Sequence, residues 1–99
     1  MKPLRSLELL FQGYLNLDWI DDYPDPWDAI DDFAGAEPED AVQLPHDVEA
    51  LLDAVQREED LRRIVISDLG SGYLPESDGW TYRDWLRAVA NRVSQNRGQ

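Results

Sequence analysis

Residues 25–35 read DPWDAIDDFAG, and this stretch decides the fold class. Asp25 is a short acceptor suited to the free N–H groups at a helix start, and Pro26 fits the first helical turn. Trp27, Ile30, Phe33 and Ala34 recur at helical steps and make one apolar face, with Gly35 as the expected stop. Asp28 falls in the first turn, where the helix dipole favours negative charge. Asp31 and Asp32 fall in the last turn, where it does not. Helix stability therefore leaves Asp31 and Asp32 unexplained, and they become candidates for function.

The same periodicity extends in both directions. Leu4, Leu7, Leu10, Phe11 and Tyr14 predict a helix over 4–13 that stops at Gly13, followed by a loop over 15–25. Pro45 is expected to open a third helix with Val48, Leu51, Leu52 and Val55 on its inner face. A fourth covers 59–69, with Leu61, Ile64, Val65 and Leu69 inward and Gly70 at its end. The β-branched run Arg63–Ser67 keeps a short strand open as the alternative there. GSGYLPESDG, residues 70–79, has the composition of a loop. Thr81 caps a fifth helix, with Asp84 placed as in a capping box and Tyr82, Trp85, Leu86, Val89 and Val93 on one face. The expected architecture is all-α: a compact single domain, residues 1–99, of about five helices joined by short loops.

Charge is distributed unevenly. Of the 99 residues, 42% are hydrophobic, too many for a disordered chain, yet the net charge is −12. Residues 6–56 hold 14 Asp and Glu and no Lys or Arg, whereas residues 57–99 hold 7 acidic and 7 basic residues and balance to zero. Such a field repels nucleic acid and anionic membrane, and attracts cations and basic proteins. There is no cysteine, and no apolar run reaches the roughly 20 residues that span a bilayer. The N-terminal MKPLRSLELLFQG makes a poor signal peptide. A cytoplasmic location is expected.

Seven aspartates fall between Tyr14 and Phe33. Asp18, Asp21 and Asp22 do not follow the calcium-loop spacing, because Tyr23 stands at the sixth position where that loop needs glycine. His46 has no second His or Cys with which to hold zinc. Ser67, Ser71 and Ser77 have no triad partner, and the GSG at residues 70–72 ends a helix rather than opening one. No catalytic residue, metal or cofactor is expected, and the chain does not read as an enzyme. What remains is a docking surface formed by Asp18, Asp21, Asp22, Tyr23, Asp25, Asp31 and Asp32. Tyr23 serves as an exposed anchor, since tyrosine is favoured in interface hot spots. The rings of Tyr14, Trp19 and Trp27 are expected to pin this segment to the domain, with Trp27 and Trp85 in the core. The bland alternative is a solvated acidic face that only confers solubility.

Two further stretches carry a resemblance. In LFQGYLNLDW, residues 10–19, Tyr14, Asp18 and Trp19 match one motif, and in LGSGYLPESDGWTYRDWL, residues 69–86, Leu69, Gly70, Tyr73, Pro75, Trp85 and Leu86 match a second. With these motifs in order over residues 7–93, the chain resembles the small immunity proteins of contact-dependent growth inhibition and related polymorphic toxin systems. Asn16 and Leu17 stand where that family carries His and Gln, so no role of those two side chains transfers. The resemblance implies a protein that binds and neutralises a cognate toxin domain in the cytosol of the producing cell. Many such toxins are nucleases, which are basic where they meet phosphate, and this agrees with the acidic field. The alternative is a general acidic interaction module, a nucleic-acid mimic or regulatory adaptor, with no toxin partner.

Overall fold

In the computed structural model, which describes residues 4–97, the chain begins with helix α1 (Arg5–Leu9). This helix runs on through a wide π-helical turn, Leu10–Tyr14, closed by the Leu15 N–H donating to the Leu10 carbonyl at 2.9 Å. Gly13 therefore lies inside the helix rather than at its end. Leu10, Phe11 and Leu15 are all buried, so burial carries the helix past the glycine. The expected loop over 15–25 contains a short helix, α2 (Trp19–Asp22). It is started by an Asx turn in which the Asn16 side chain accepts from the Asp18 N–H at 2.9 Å.

Helix α3 (Pro26–Ala36) opens as its chemistry requires, with Asp25 Oδ1 accepting from the Trp27 and Asp28 N–H groups at 2.8 and 3.1 Å. It ends one residue beyond Gly35. Glu37 alone separates it from helix α4 (Pro38–Ala54), which contains Pro45 rather than starting there. An interior proline costs about 3 kcal/mol. Ala41, Leu44, Val48, Leu51 and Leu52 form a buried stripe running across it. At about 1.5–3 kcal/mol for each large aliphatic side chain, that stripe outweighs the break.

Helix α5 (Glu58–Arg63) also runs on as a π-helical turn, Ile64–Asp68, closed by the Leu69 N–H to the Ile64 carbonyl at 2.8 Å. The β-branched run is thus helical, and no strand occurs among the described residues. Gly70 follows at φ 82°, then a 3-10 turn over Pro75–Asp78 closed by Gly79 at φ 84°. Helix α6 (Tyr82–Arg97) is the last element among the described residues, with the expected Thr81 Oγ1 cap on the Asp84 N–H at 3.1 Å.

Helices α3, α4 and α5 pack against α6, and α1 packs against α4, over one core. Trp85 is fully buried at its centre and stacks on Phe11 at 5.6 Å, with Leu86, Val89 and Val93 on the same face. Trp27, expected in the core, is half-buried at its margin. It sits edge-on to Trp80 at 6.3 Å and under the Arg92 guanidinium at 5.7 Å. Two polar clasps fix helix ends to each other. Arg83 donates to the Val55 and Leu52 carbonyls at 2.6 and 3.3 Å, at the end of α4. Glu58 accepts from the Tyr82 and Arg83 N–H groups at 2.7 and 3.0 Å, at the start of α6. Among the described residues, no helix is long and apolar enough to cross a membrane.

Candidate functional site

The two π-helical turns deliver the segments that meet at the acidic face. Gly72 donates its N–H to the Leu15 carbonyl at 2.6 Å, and a Cβ at this position would lie 2.2 Å from the Asn16 oxygen. Only glycine lets the two backbones approach this closely. Residues 70–74 thereby lie directly against residues 15–17. Trp19 meets Tyr73 edge-on at 5.7 Å, and Tyr73 in turn packs on Trp85 at 5.3 Å. Helix α2 is therefore tied to the centre of the core through two rings. Tyr14 packs edge-on to Phe33 at 5.7 Å and donates its hydroxyl to Glu37 at 2.9 Å. Tyr14, Trp19 and Trp27 are each half-buried against the core.

Around this mounting, Asp18, Asp21, Asp22 and Asp25 are exposed. Asp32 is also exposed and accepts the Tyr23 hydroxyl at 2.5 Å. Tyr23, expected as an exposed anchor, is half-buried, and its hydroxyl serves Asp32. Asp31 lies apart from the others in character. It is half-buried and takes both arms of the Arg92 guanidinium, at 2.8 and 2.7 Å, which fastens α3 to α6.

All four tyrosines donate to carboxylates: Tyr14 to Glu37, Tyr23 to Asp32, Tyr73 to Asp78 and Tyr82 to Glu76. A phenol fixes a carboxylate without cancelling its charge, as at Glu37 and Asp32, whereas Glu76 is also paired with Arg62 at 2.8 Å. Burial, with the Glu37 hydrogen bond behind it, pushes Tyr14 up to about 12. The Asp32 hydrogen bond, with burial behind it, does the same for Tyr23, also to about 12. Burial and then their carboxylate partners raise Tyr73 and Tyr82 as well. The Tyr82 hydroxyl, with Arg62, holds Glu76 below the usual carboxylate range.

The sequence reading missed two residues. Leu17 is 85% exposed and Ile20 68%, on either side of the inward-turned Trp19. Large exposed aliphatics on one short segment are candidates for the apolar part of an interaction surface. In a segment expected to be a loop they carried no periodicity to mark them; Ile20 lies in α2 next to Trp19, and Leu17 lies just before it. Beside them is an open depression of about 450 Å³ between the start of α3 and the 72–78 segment, lined in part by Trp19, Asp25, Tyr73, Leu74 and Asp78. Among the described residues, no group of three or more His, Cys, Asp or Glu side chains is placed to hold a metal ion. The arrangement suits noncovalent recognition of a cationic, partly apolar surface.

Residues 4–93 match the family model of the CdiI immunity protein. No curated protein and no solved structure matches the chain.

Proposed function

Since the chain belongs to the CdiI immunity protein family, and is thus a toxin-neutralising immunity protein, we propose that it covers a basic nuclease toxin with its acidic N-terminal face. Asp18, Asp21, Asp22 and Asp25 meet the Lys and Arg residues with which such a toxin holds phosphate. Asp32 is oriented for this by Tyr23, and Asp31 keeps the underlying helix in place. The observation that supports this most is the absence of any Lys or Arg from residues 6–56 combined with the ring packing beneath that face. A charge array already held in place loses less entropy on docking than an acidic tail would. Inhibition then needs no chemistry from the immunity protein, only occupancy of the toxin's phosphate-binding surface. The cytoplasm of the producing cell is the compartment where this protection is required.

The test is co-expression with toxin domains of different activities, scored by growth. Rescue from a basic nuclease, with a complex that weakens as salt is raised, is the expected result. Rescue confined to toxins with no basic face would refute the charge-based mode of binding while leaving the family assignment intact.

A further inference from the structure

The core margin already contains one arginine seat. Arg92 lies over the Trp27 ring at 5.7 Å and gives both guanidinium arms to Asp31 at 2.8 and 2.7 Å. The open depression beside α2 also combines an indole with carboxylates: the ring of Trp19 and the side chains of Asp25 and Asp78, with Pro26 and Leu74 as apolar lining. No Arg or Lys lines it. Asp25 uses one oxygen, Oδ1, to cap α3, and Asp78 uses one, Oδ2, to accept from Tyr73. Among the described residues the second oxygen of each accepts no hydrogen bond. Both residues are exposed, while Trp19 is half-buried and held edge-on by Tyr73.

We propose that this depression receives an arginine side chain of the toxin, its guanidinium between Asp25 and Asp78 and its aliphatic stem along Trp19 and Leu74. The inference rests on the reading of this face as the toxin-docking surface and names the group it grips. Arginine suits it better than lysine, because a planar guanidinium can lie on an indole and donate to two carboxylates at once. The volume of about 450 Å³ accommodates one long side chain. Leu17 and Ile20, exposed next to Trp19, would exclude water around the seated cation.

The probes are N-acetyl-arginine amide and its neutral isostere N-acetyl-citrulline amide, titrated into the isotopically labelled protein and followed by amide and indole chemical shifts. Arginine amide should give saturable shifts at the Trp19 indole, Gly72 and Leu74, and citrulline amide should give less than a fifth of them at equal concentration. Equal shifts with both probes, or shifts elsewhere, would overturn the proposal. In the Asp25→Asn, Asp78→Asn variant, asparagine still caps α3 and still accepts from Tyr73, so the unfolding midpoint should stay that of the parent. Binding of arginine amide should weaken at least fivefold. Against the toxin domain that the parent neutralises, the same variant should raise Kd at least tenfold. A parent that protects, with a variant that binds that toxin equally well, overturns the pocket and leaves the function standing. Arginine-selective binding by a parent that protects against no toxin supports the pocket and refutes the function proposed for it.

Discussion

Gly72 and Gly35 show how differently one residue type is constrained. A Cβ at Gly72 would collide with backbone that cannot swing aside, whereas one at Gly35 meets nothing within 4 Å, in the last turn of α3. Gly72→Ala should therefore destabilise by about 1–3 kcal/mol, as overpacking does. Gly35→Ala should be neutral or stabilise by up to about 1 kcal/mol, since alanine is the better helix former. Urea unfolding of the two variants checks both signs, and a Gly72→Ala as stable as the parent would remove the close approach on which the site is built. The tyrosines make a second residue-level prediction. Tyr14 and Tyr23 are raised from 10 to about 12, so the fold binds their protons more tightly than the unfolded chain does. Their contribution is complete below pH 10 and is lost as pH rises through about 12. Phenolate absorbance should show these rings titrating late, and stability should fall across that window; ordinary titration near 10 in the folded protein would contradict the carboxylate contacts. At this scale the sequence was partly legible. The acidic residues and the rings beneath them could be named from spacing and charge. The hydroxyl partners could not, because Tyr14–Glu37 and Tyr73–Asp78 are set by how helix ends and loops meet.

At the scale of elements, Asp25–Pro26 and Thr81 were legible because capping is local chemistry, written in adjacent residues. Pro45 misled for the same reason: proline is a strong local signal for a helix start, and a tertiary stripe from Ala41 to Leu52 overrode it. That stripe was itself periodic in the sequence, so the conflict was between two readable signals of unequal energy. The π-helical turns ending α1 and α5 were not readable, since a wide turn leaves no composition signature at Gly13 or Ile64. The clasp between α5 and α6 gives an element-level prediction. Glu58 supplies acceptors for two free N–H groups of α6 from another part of the chain. Glu58→Ala should cost about 0.5–2 kcal/mol, the range of a lost helix cap. Hydrogen exchange should locate the loss as faster exchange at Tyr82 and Arg83. Unchanged exchange there would mean that Thr81 alone caps the helix.

At the scale of the whole molecule, the fold divides its charge into an acidic N-terminal half and a balanced C-terminal half. The balanced half does structural work: Arg83 and Arg92 hold helix ends and α3 in place. Residues 6–56 contain no Lys or Arg of their own. Asp31 is paired with Arg92, whereas Asp25 and Asp32 are ordered by N–H groups and a phenol, which leaves their charge uncancelled. Long-range attraction of this kind acts on the rate of encounter, and it is screened by salt. The most direct measurement is the association rate with the neutralised toxin domain across a range of ionic strengths, for the parent and for Asp21→Asn, Asp22→Asn, Asp25→Asn combined. The expected result is a rate that falls steeply with salt in the parent and flattens in the variant, with affinity at least tenfold weaker, about 1.4 kcal/mol. A parent rate indifferent to salt, or a variant that associates and binds as the parent does, would contradict it.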